Sequence, residues 1–531
     1  MFGWTRRDRI LVASIMLVAS LLLFARLDDR SLWQDEAETA LLGRSVLTYG
    51  VPTAFDGRNI ISQEGQQEFE APDYTWFWTP WAQHYMAAAS FGLFGVSTFT
   101  ARLPFVLLAI GCLYLCYLLA YEVTQDRRTA AIALVLLGAS VPFLLHARQC
   151  RYYSPACFFA CLFVLSYLRI LKGKKGAAFW LACGATGLFH SHYVVFGGFV
   201  LGLALHYFLL SRDVTRLRAI SIAASITIVL AIPFLIGFEG QSSGQALPGL
   251  EKSLSNLHSA FYHINRYVFP CLLGIPLVGL WLLNRRGSQG AVSADSGVTQ
   301  SALALTLVVV ATVAVLVVVM PWFFFRYYVA LIPIAVVLQA VIVMQTWRWR
   351  RWVGVALFML LAATDVVSRA LPINQNLPTK SVRHFLSGDE DLGTVIGAWA
   401  QLTPMAGYLY EISHDYTGPI EELIKYLEGR TSPGDTILAT YGDLPIQFYT
   451  GLKVVGGLSE EDPSRYSEAE WLFVRAHTHR QGDRRLKRFI AKAIDRSAYE
   501  PATLGVLDRP YENRPDPTTH KWRSPSEGLP S

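Results

Sequence analysis

This chain carries little charge for its length. Of 531 residues, 16% are charged and 53% hydrophobic, whereas a soluble domain has about a quarter charged. That composition excludes a wholly soluble protein. The apolar stretches are long and not built of short alternating strands, which excludes a transmembrane β-barrel. The seven cysteines, Cys112, Cys116, Cys150, Cys157, Cys161, Cys183 and Cys271, lie mostly within or beside apolar runs. They form neither a disulfide framework nor a zinc spacing. The net charge of +6 is spread over short arginine-rich loops, not gathered into a patch for nucleic acid. No internal repeat is visible, and no small-x-small cleavage site follows the first apolar run. With Arg6, Arg7 and Arg9 ahead of it, that run reads as a retained signal anchor.

What is present is a series of apolar runs through the first 370 positions. They predict a polytopic α-helical membrane protein with about 11 transmembrane helices. The predicted spans cover about 10–27, 101–121, 129–146, 153–170, 177–190, 193–210, 219–238, 266–283, 302–320, 329–346 and 352–369. Basic residues collect at alternate ends, as in Arg127-Arg128, Lys172 to Lys175, Arg212 to Arg218, Arg285-Arg286 and Arg348 to Arg351. Such residues mark the cytoplasmic side. The stretch Ala82–Val96 is too short for a span and fits an interfacial helix. The expected organisation is a transmembrane domain over 1–370 with a large outer loop at 28–100. An extracytoplasmic α/β domain follows at 371–508, then a disordered tail at 509–531 rich in Pro, Ser and charge.

With this sidedness the chemically capable residues share one face, the outer one. Ser31-Leu32-Trp33-Gln34-Asp35-Glu36-Ala37 follows the first span directly. Two carboxylates there either start a helix, where acids suit the dipole, or activate a hydroxyl or amine acceptor at the membrane surface. Arg148, Arg151 and Arg326 lie beside Tyr152, Tyr153, Tyr327 and Tyr328. Arginine at a helix end often only snorkels to headgroups. Arginine–tyrosine clusters on the outer side run against the usual charge bias and point to a phosphate ligand. His190, Ser191, His192 and, elsewhere, His84 are interfacial polar residues or members of a metal site. A base beside a cationic pocket suits transfer of a sugar from a lipid phosphate, the arginines stabilising the departing phosphate. Trp33, Tyr74, Trp76, Phe77, Trp78 and Trp81 line the sugar site or anchor at the interface.

Trp33-Gln34-Asp35-Glu36-Ala37 resembles the first-loop acidic motif of GT-C-type glycosyltransferases. It is closest to the bacterial branch related to protein O-mannosyltransferases and the lipid A aminoarabinose transferase. Trp78-Thr79-Pro80-Trp81 with Tyr85 and Leu93-Phe94-Gly95, then Ala101-Arg102-Leu103-Pro104, Arg148 to Tyr152, Arg326-Tyr327 and the Pro433-Gly434-Asp435 turn, follow the family's order. The resemblance implies transfer from a polyprenyl-phosphate-linked sugar donor at the outer face of the bacterial inner membrane, with inversion. Asp35 would be the base, and Glu36 a support or second ligand. Arg148, Arg151, Tyr152, Arg326 and Tyr327 would contact the donor phosphate, and Trp33, His84, His190 and His192 would line the pocket. No cofactor is expected, although a divalent metal is compatible. The family's "PPL" is Thr79-Pro80-Trp81 here, and the second outer loop has Arg151-Tyr152-Tyr153-Ser154 in place of an acid. The acceptor, whether lipid, protein or envelope glycan, therefore does not transfer with the resemblance. No "WWDYG"-like motif is present, which argues against N-glycan synthesis. Two other classes remain: a lipid-linked saccharide transporter or flippase, which calls for charges within the spans, and a non-catalytic envelope assembly subunit.

Overall fold

The computed structural model describes residues 5–69, 73–241, 248–276, 294–369, 403–415, 417–466, 469–475 and 481–506. Helix α1 (Arg6–Phe24) starts with a reciprocal cap between Thr5 and Asp8. Helix α2 (Gln34–Tyr49) ends at Gly50, whose φ of 79° favours glycine. Helix α3 (Ala82–Phe94) has 13 residues, too few to cross a bilayer. Helix α4 (Thr98–Thr124) is long and apolar enough to cross, with Ser97 and Thr100 forming its cap.

The predicted third span is broken. Helices α5 (Arg127–Gly138) and α6 (Val141–Ala147) meet at a 64° bend. Pro142 supplies the reason: it has no N–H for the Gly138 carbonyl, and its ring crowds that oxygen. Helices α7 (Tyr153–Leu171), α8 (Ala177–Ser191), α9 (Tyr193–His206) and α10 (Val214–Gln241) follow, α9 running on as a π turn to Ser211. Then come α11 (Leu250–Tyr267), α12 (Ala294–Val319), α13 (Ile332–Trp349) and α14 (Arg351–Ala363). A 3-10 segment, Phe325–Leu331, leads directly into α13. Of the crossing helices, the Phe325–Trp349 unit is the most enclosed by the rest of the chain. It therefore carries Arg326 into the middle of the molecule.

Among the described residues, six helices are long and apolar enough to cross a membrane, or seven if the bent pair counts as one span. The helices at the predicted first, fifth and eleventh positions fall outside that set, α14 because it has only 13 residues. The predicted eighth span is described only at its start: the last turn of α11, a short 3-10 turn at Cys271–Leu273 and helical residues at 274–276. The remainder of that span, the start of the expected α/β domain at 371–402 and the expected disordered tail lie outside the described residues.

Some helices touch backbone to backbone. A Cβ at Gly202 of α9 would stand 2.5 Å from Val308 Cα of α12, and one at Gly198 would stand 2.5 Å from Thr312 Cα. Small residues at such crossings are what let helices pack in lipid.

The polar C-terminal part contains a three-stranded parallel sheet. Strands β1 (Thr436–Ala439), β2 (Lys453–Gly456) and β3 (Trp471–Phe473) lie in the order β2-β1-β3. Ile437 pairs with Val454 and Trp471, and Leu438 with Val455 and Leu472. Successive side chains leave opposite faces. Ile437 accordingly joins Leu423, Leu427 and Ile446, whereas Leu438 joins Val455, Leu486 and Ile490. Burial on both faces is the usual condition of a parallel sheet.

Gly202→Ala should cost about 1–3 kcal/mol through overpacking, whereas Gly197→Ala, with nothing within 4 Å of its Cβ, should be neutral or stabilising. Heat-induced loss of monodisperse protein in detergent measures both.

Candidate active site

The turn between α1 and α2 is held by one arginine. Arg102, in the first turns of α4, is buried. Its Nη1 donates to the carbonyls of Leu27 (2.8 Å) and Arg30 (2.9 Å), and its Nη2 to that of Ser31 (3.2 Å). The same guanidinium grips the Glu36 carboxylate in a fork, Nε at 2.8 Å and Nη2 at 2.7 Å. Glu36 Oε1 also accepts the Cys150 N–H at 2.7 Å. Glu36 is fully buried, with its oxygens occupied. Of the two roles expected for it, support and second ligand, the geometry fits support.

Asp35 points elsewhere. Its Oδ2 lies 2.9 Å from Arg326 Nη1 and 3.9 Å from Arg151 Nη2. Arg151 Nη1 donates to the Asp35 carbonyl (3.1 Å) and to Thr39 Oγ1 (3.0 Å), and also contacts the Glu38 carboxylate. Arg326 lies over the Phe324 ring at 4.3 Å and near the rings of Trp33 and Tyr327, each at 5.8 Å. Tyr152 packs between Tyr153 and His192, with ring centroids 4.7 and 4.9 Å away. Tyr327 meets the other edge of His192 at 5.4 Å. The structure thus assembles Trp33, Asp35, Arg151, Tyr152, His192, Arg326 and Tyr327, which are separated by up to 294 positions, around one buried carboxylate.

Several buried polar atoms in this region have no protein hydrogen-bond partner, among them the Tyr152 hydroxyl, Ser154 Oγ, Arg151 Nε and both amide atoms of Gln83. Buried polar groups are normally satisfied; these atoms, and Asp35 Oδ2 with them, are left without a protein hydrogen bond.

Three expected residues stand apart. Arg148 points away from Asp35: it donates to the Tyr408 hydroxyl (3.1 Å) and to the carbonyls of Ala25 (2.5 Å) and Arg26 (3.0 Å), securing the end of α1. His190 pairs with the Leu230 carbonyl at 3.1 Å and packs on Phe189 and Phe234. His84 is fully buried against Thr79 Oγ1 at 3.1 Å, and burial together with nearby Arg151 pushes its pKa down to about 3. A neutral His84 suits a place beside a guanidinium. His192 Nδ1 accepts the Val195 N–H at 3.4 Å and caps α9. The histidines do not converge, and among the described residues no group of three metal-ligating side chains could hold an ion. A divalent cation at Asp35 would also face two guanidiniums. The donor set therefore does not fit a metal.

Other residues of the site were not singled out from sequence. Glu38 lies one turn after Asp35, and its other oxygen contacts Gln63 Nε2. Burial, with Asp35 adding to it, raises its carboxyl. Glu68 accepts from Ser62 Oγ (2.7 Å) and from the N–H groups of Gln63 (2.6 Å) and Glu64 (2.7 Å). Burial nevertheless lifts it to about 7. The usable signal was an acid three residues after Asp35, on the same helical face. Arg102 had a signal too, as a lone charge near the start of an apolar helix.

The α/β unit closes over the 31–34 segment. Helix α17 (Pro419–Leu427) presents Glu421, which accepts the Ser31 N–H at 2.9 Å. Helix α18 (Asp443–Thr450) presents the Tyr449 hydroxyl to the Leu32 N–H at 2.9 Å and Asp443 Oδ1 to Gln34 Nε2 at 2.8 Å. Three of the four residues of the 31–34 segment are thus fixed from residues about 400 positions away. (Labels α15 and α16 belong to the short helices Val366–Arg369 and Pro404–Ser413.)

No family model matches this sequence. An uncharacterized protein of Aquifex aeolicus is 30% identical over 105 residues, 20% of this chain and 21% of that protein. The match thus spans about a fifth of the relative's length. ArnT from Cupriavidus metallidurans in the apo state superposes with a TM-score of 0.54 at 17% identity, covering 87% of this chain and 89% of ArnT. ArnT bound to undecaprenyl phosphate gives 0.54 at 16% identity, covering 84% and 85%. The chain is a helical membrane protein with the GT-C-type fold.

Two outcomes follow from these contacts. Arg102→Ala strands the buried Glu36 charge and should cost about 3–5 kcal/mol, with Arg102→Lys recovering little because an ammonium cannot reproduce the fork; thermal unfolding in detergent reads both. Glu68 holds its proton in the folded state up to about pH 7, against an ordinary value of 4.5. The resulting stability is fully present below pH 4.5 and is lost as pH rises through about 7, a change of about 3 kcal/mol. Glu68→Gln should flatten that pH dependence.

Proposed function

We propose that this protein transfers a sugar from a polyprenyl-phosphate donor to an acceptor at the outer face of the bacterial inner membrane. The observation that carries this reading is the buried Asp35 carboxylate facing two guanidiniums, Arg326 at 2.9 Å and Arg151 at 3.9 Å. A GT-C-type fold supports it, as does a solved neighbour that binds undecaprenyl phosphate.

Each residue has a task. The donor phosphate draws Arg326 and Arg151 by charge and fork geometry, which frees Asp35 to accept the acceptor's proton. The acceptor oxygen or nitrogen then bonds to the anomeric carbon as the carbon–phosphate oxygen bond breaks. The bonding pair leaves on the lipid phosphate, where the two arginines stabilise the added charge. Attack opposite the leaving phosphate inverts the anomeric centre. Tyr152, Tyr327 and Trp33 form the wall of the pocket, with Tyr152 offering a hydroxyl that has no protein partner. Glu36 and Arg102 orient Asp35 without touching substrate. Arg148 and His190 take no part in donor binding on this reading.

Orientation follows from charge. Asp35, Arg151 and Arg326 lie at helix ends opposite Arg127, Arg128, Lys172 and Lys174, and the richly basic ends face the cytoplasm. The 1–370 membrane region and the 371–508 α/β region are then two parts of one outward-facing catalyst.

The test is transfer of label from a panel of polyprenyl-phosphate sugars, using membranes with native protein or Asp35→Asn. Loss of the base should lower kcat by about 10²–10⁴ with membrane insertion unchanged. Undiminished transfer by Asp35→Asn sinks the base assignment. Folded native protein inert with every donor shifts the reading to a saccharide transporter or an assembly subunit.

A further inference from the structure

We propose that Glu38 is a positioning residue for this reaction, the counter-ion that holds Arg151 away from Asp35. The inference rests on the reading of Asp35 as the base.

Glu38 and Asp35 lie one helical turn apart on the same face of α2. Arg151 approaches that face with one nitrogen. Its Nη1 contacts the Glu38 carboxylate, the Asp35 carbonyl and Thr39 Oγ1 together. Its Nη2 is left 3.9 Å from Asp35 Oδ2, beyond the roughly 2.7–2.9 Å of a charge-assisted hydrogen bond. Arg326 Nη1 lies closer, forming an ion pair with that oxygen at 2.9 Å although it is not aligned as a hydrogen bond. Asp35 therefore has one close guanidinium, not two. Gln63 fixes the arrangement from behind by donating to the second Glu38 oxygen.

The difference matters chemically. A carboxylate clasped by two guanidiniums is a weaker base than one clasped by a single guanidinium. Arg151 is about one ångström from closing on Asp35, and the Glu38 carboxylate is the group that competes for it. With Glu38 in place, Arg151 keeps its charge beside the donor site without quenching the base. The other groups around Glu38 leave this balance intact. Glu68 faces it from the Ser62–Phe69 loop, and His84 on α3 lies near Arg151 as a neutral ring. Arg326 lies beyond Asp35 and engages that residue.

The experiment measures kcat, the donor KM and the pH–rate profile of full-length protein in lipid nanodiscs, with native, Asp35→Asn, Glu38→Gln, Glu38→Asp and Thr39→Val forms. In Glu38→Gln, Arg151 closes on Asp35. The acidic limb of kcat should move down by about one pH unit and kcat should fall about tenfold. Glu38→Asp keeps the charge and should keep the limb in place. Thr39→Val removes the hydroxyl tether of Arg151 and should move the limb in the same direction as Glu38→Gln, by less. It serves as the test if Glu38→Gln does not fold. A lowered kcat with an unmoved limb, in Glu38→Gln or in Thr39→Val, makes the role merely structural and overturns the proposal. So does unchanged kinetics. If Asp35→Asn is as active as native protein, the parent reading fails first. If Asp35→Asn is dead and the limb stays fixed, only the Glu38 inference fails.

Discussion

The guanidinium of Arg102 ties the ends of two helices to a carboxylate, and the geometry of the site depends on it. Three carbonyls at the exit of α1 and the Glu36 carboxylate all converge on this one group. Taking the charges of Arg102 and Glu36 out of water costs several kcal/mol per ion, which their attraction and extra hydrogen bonds must offset. Here every oxygen at hand is used, and the pair is forked. What the arrangement supplies is direction. With Glu36 turned inward to α4, Asp35, its chain neighbour, is turned about 100° around the helix, toward Arg151 and Arg326. A flexible link at 25–33 would let both acids wander.

The sequence showed the class of fold through its apolar runs, and the residues around Asp35 through their common side of the membrane. It was less informative where two neighbouring residues part company. Arg148 and Arg151 share one short loop, yet one holds the end of α1 and the other faces Asp35, and the backbone turn at Gln149-Cys150 that separates them leaves no periodic trace. His190 and His192 differ in the same way, since the helix break between α8 and α9 sends them to different neighbours. The bend after Gly138 was available in Pro142. Glu38 escaped notice because a buried acid and a solvated acid look alike until the arginine that meets it, 113 positions later, is placed.

The stretch before Asp35 is also held from its far side. Glu421, Tyr449 and Asp443 each take a backbone or side-chain donor of residues 31–34. Further out, Asn59 exchanges hydrogen bonds with the start of β2: its Nδ2 donates to the Leu452 carbonyl, and its Oδ1 accepts the Val454 N–H. The outer loop and the sheet thus behave as one piece of structure, although the membrane helices separate them in the chain. The sheet's parallel strands require crossover connections, and α18, one such connection, is an element that lies on the 31–34 turn.

That docking has a bearing on biosynthesis. Asp35 enters the membrane region early in translation, but the groups that immobilise its neighbours are made about 400 residues later. A ribosome-bound intermediate holding only the first helices has the acid without its clamp. Competence then arrives in a single late event, when the last domain folds back on the first loop. Truncated chains would insert in the membrane with residues 31–34 unheld, and the surroundings of Asp35 would be complete only once the whole chain is made.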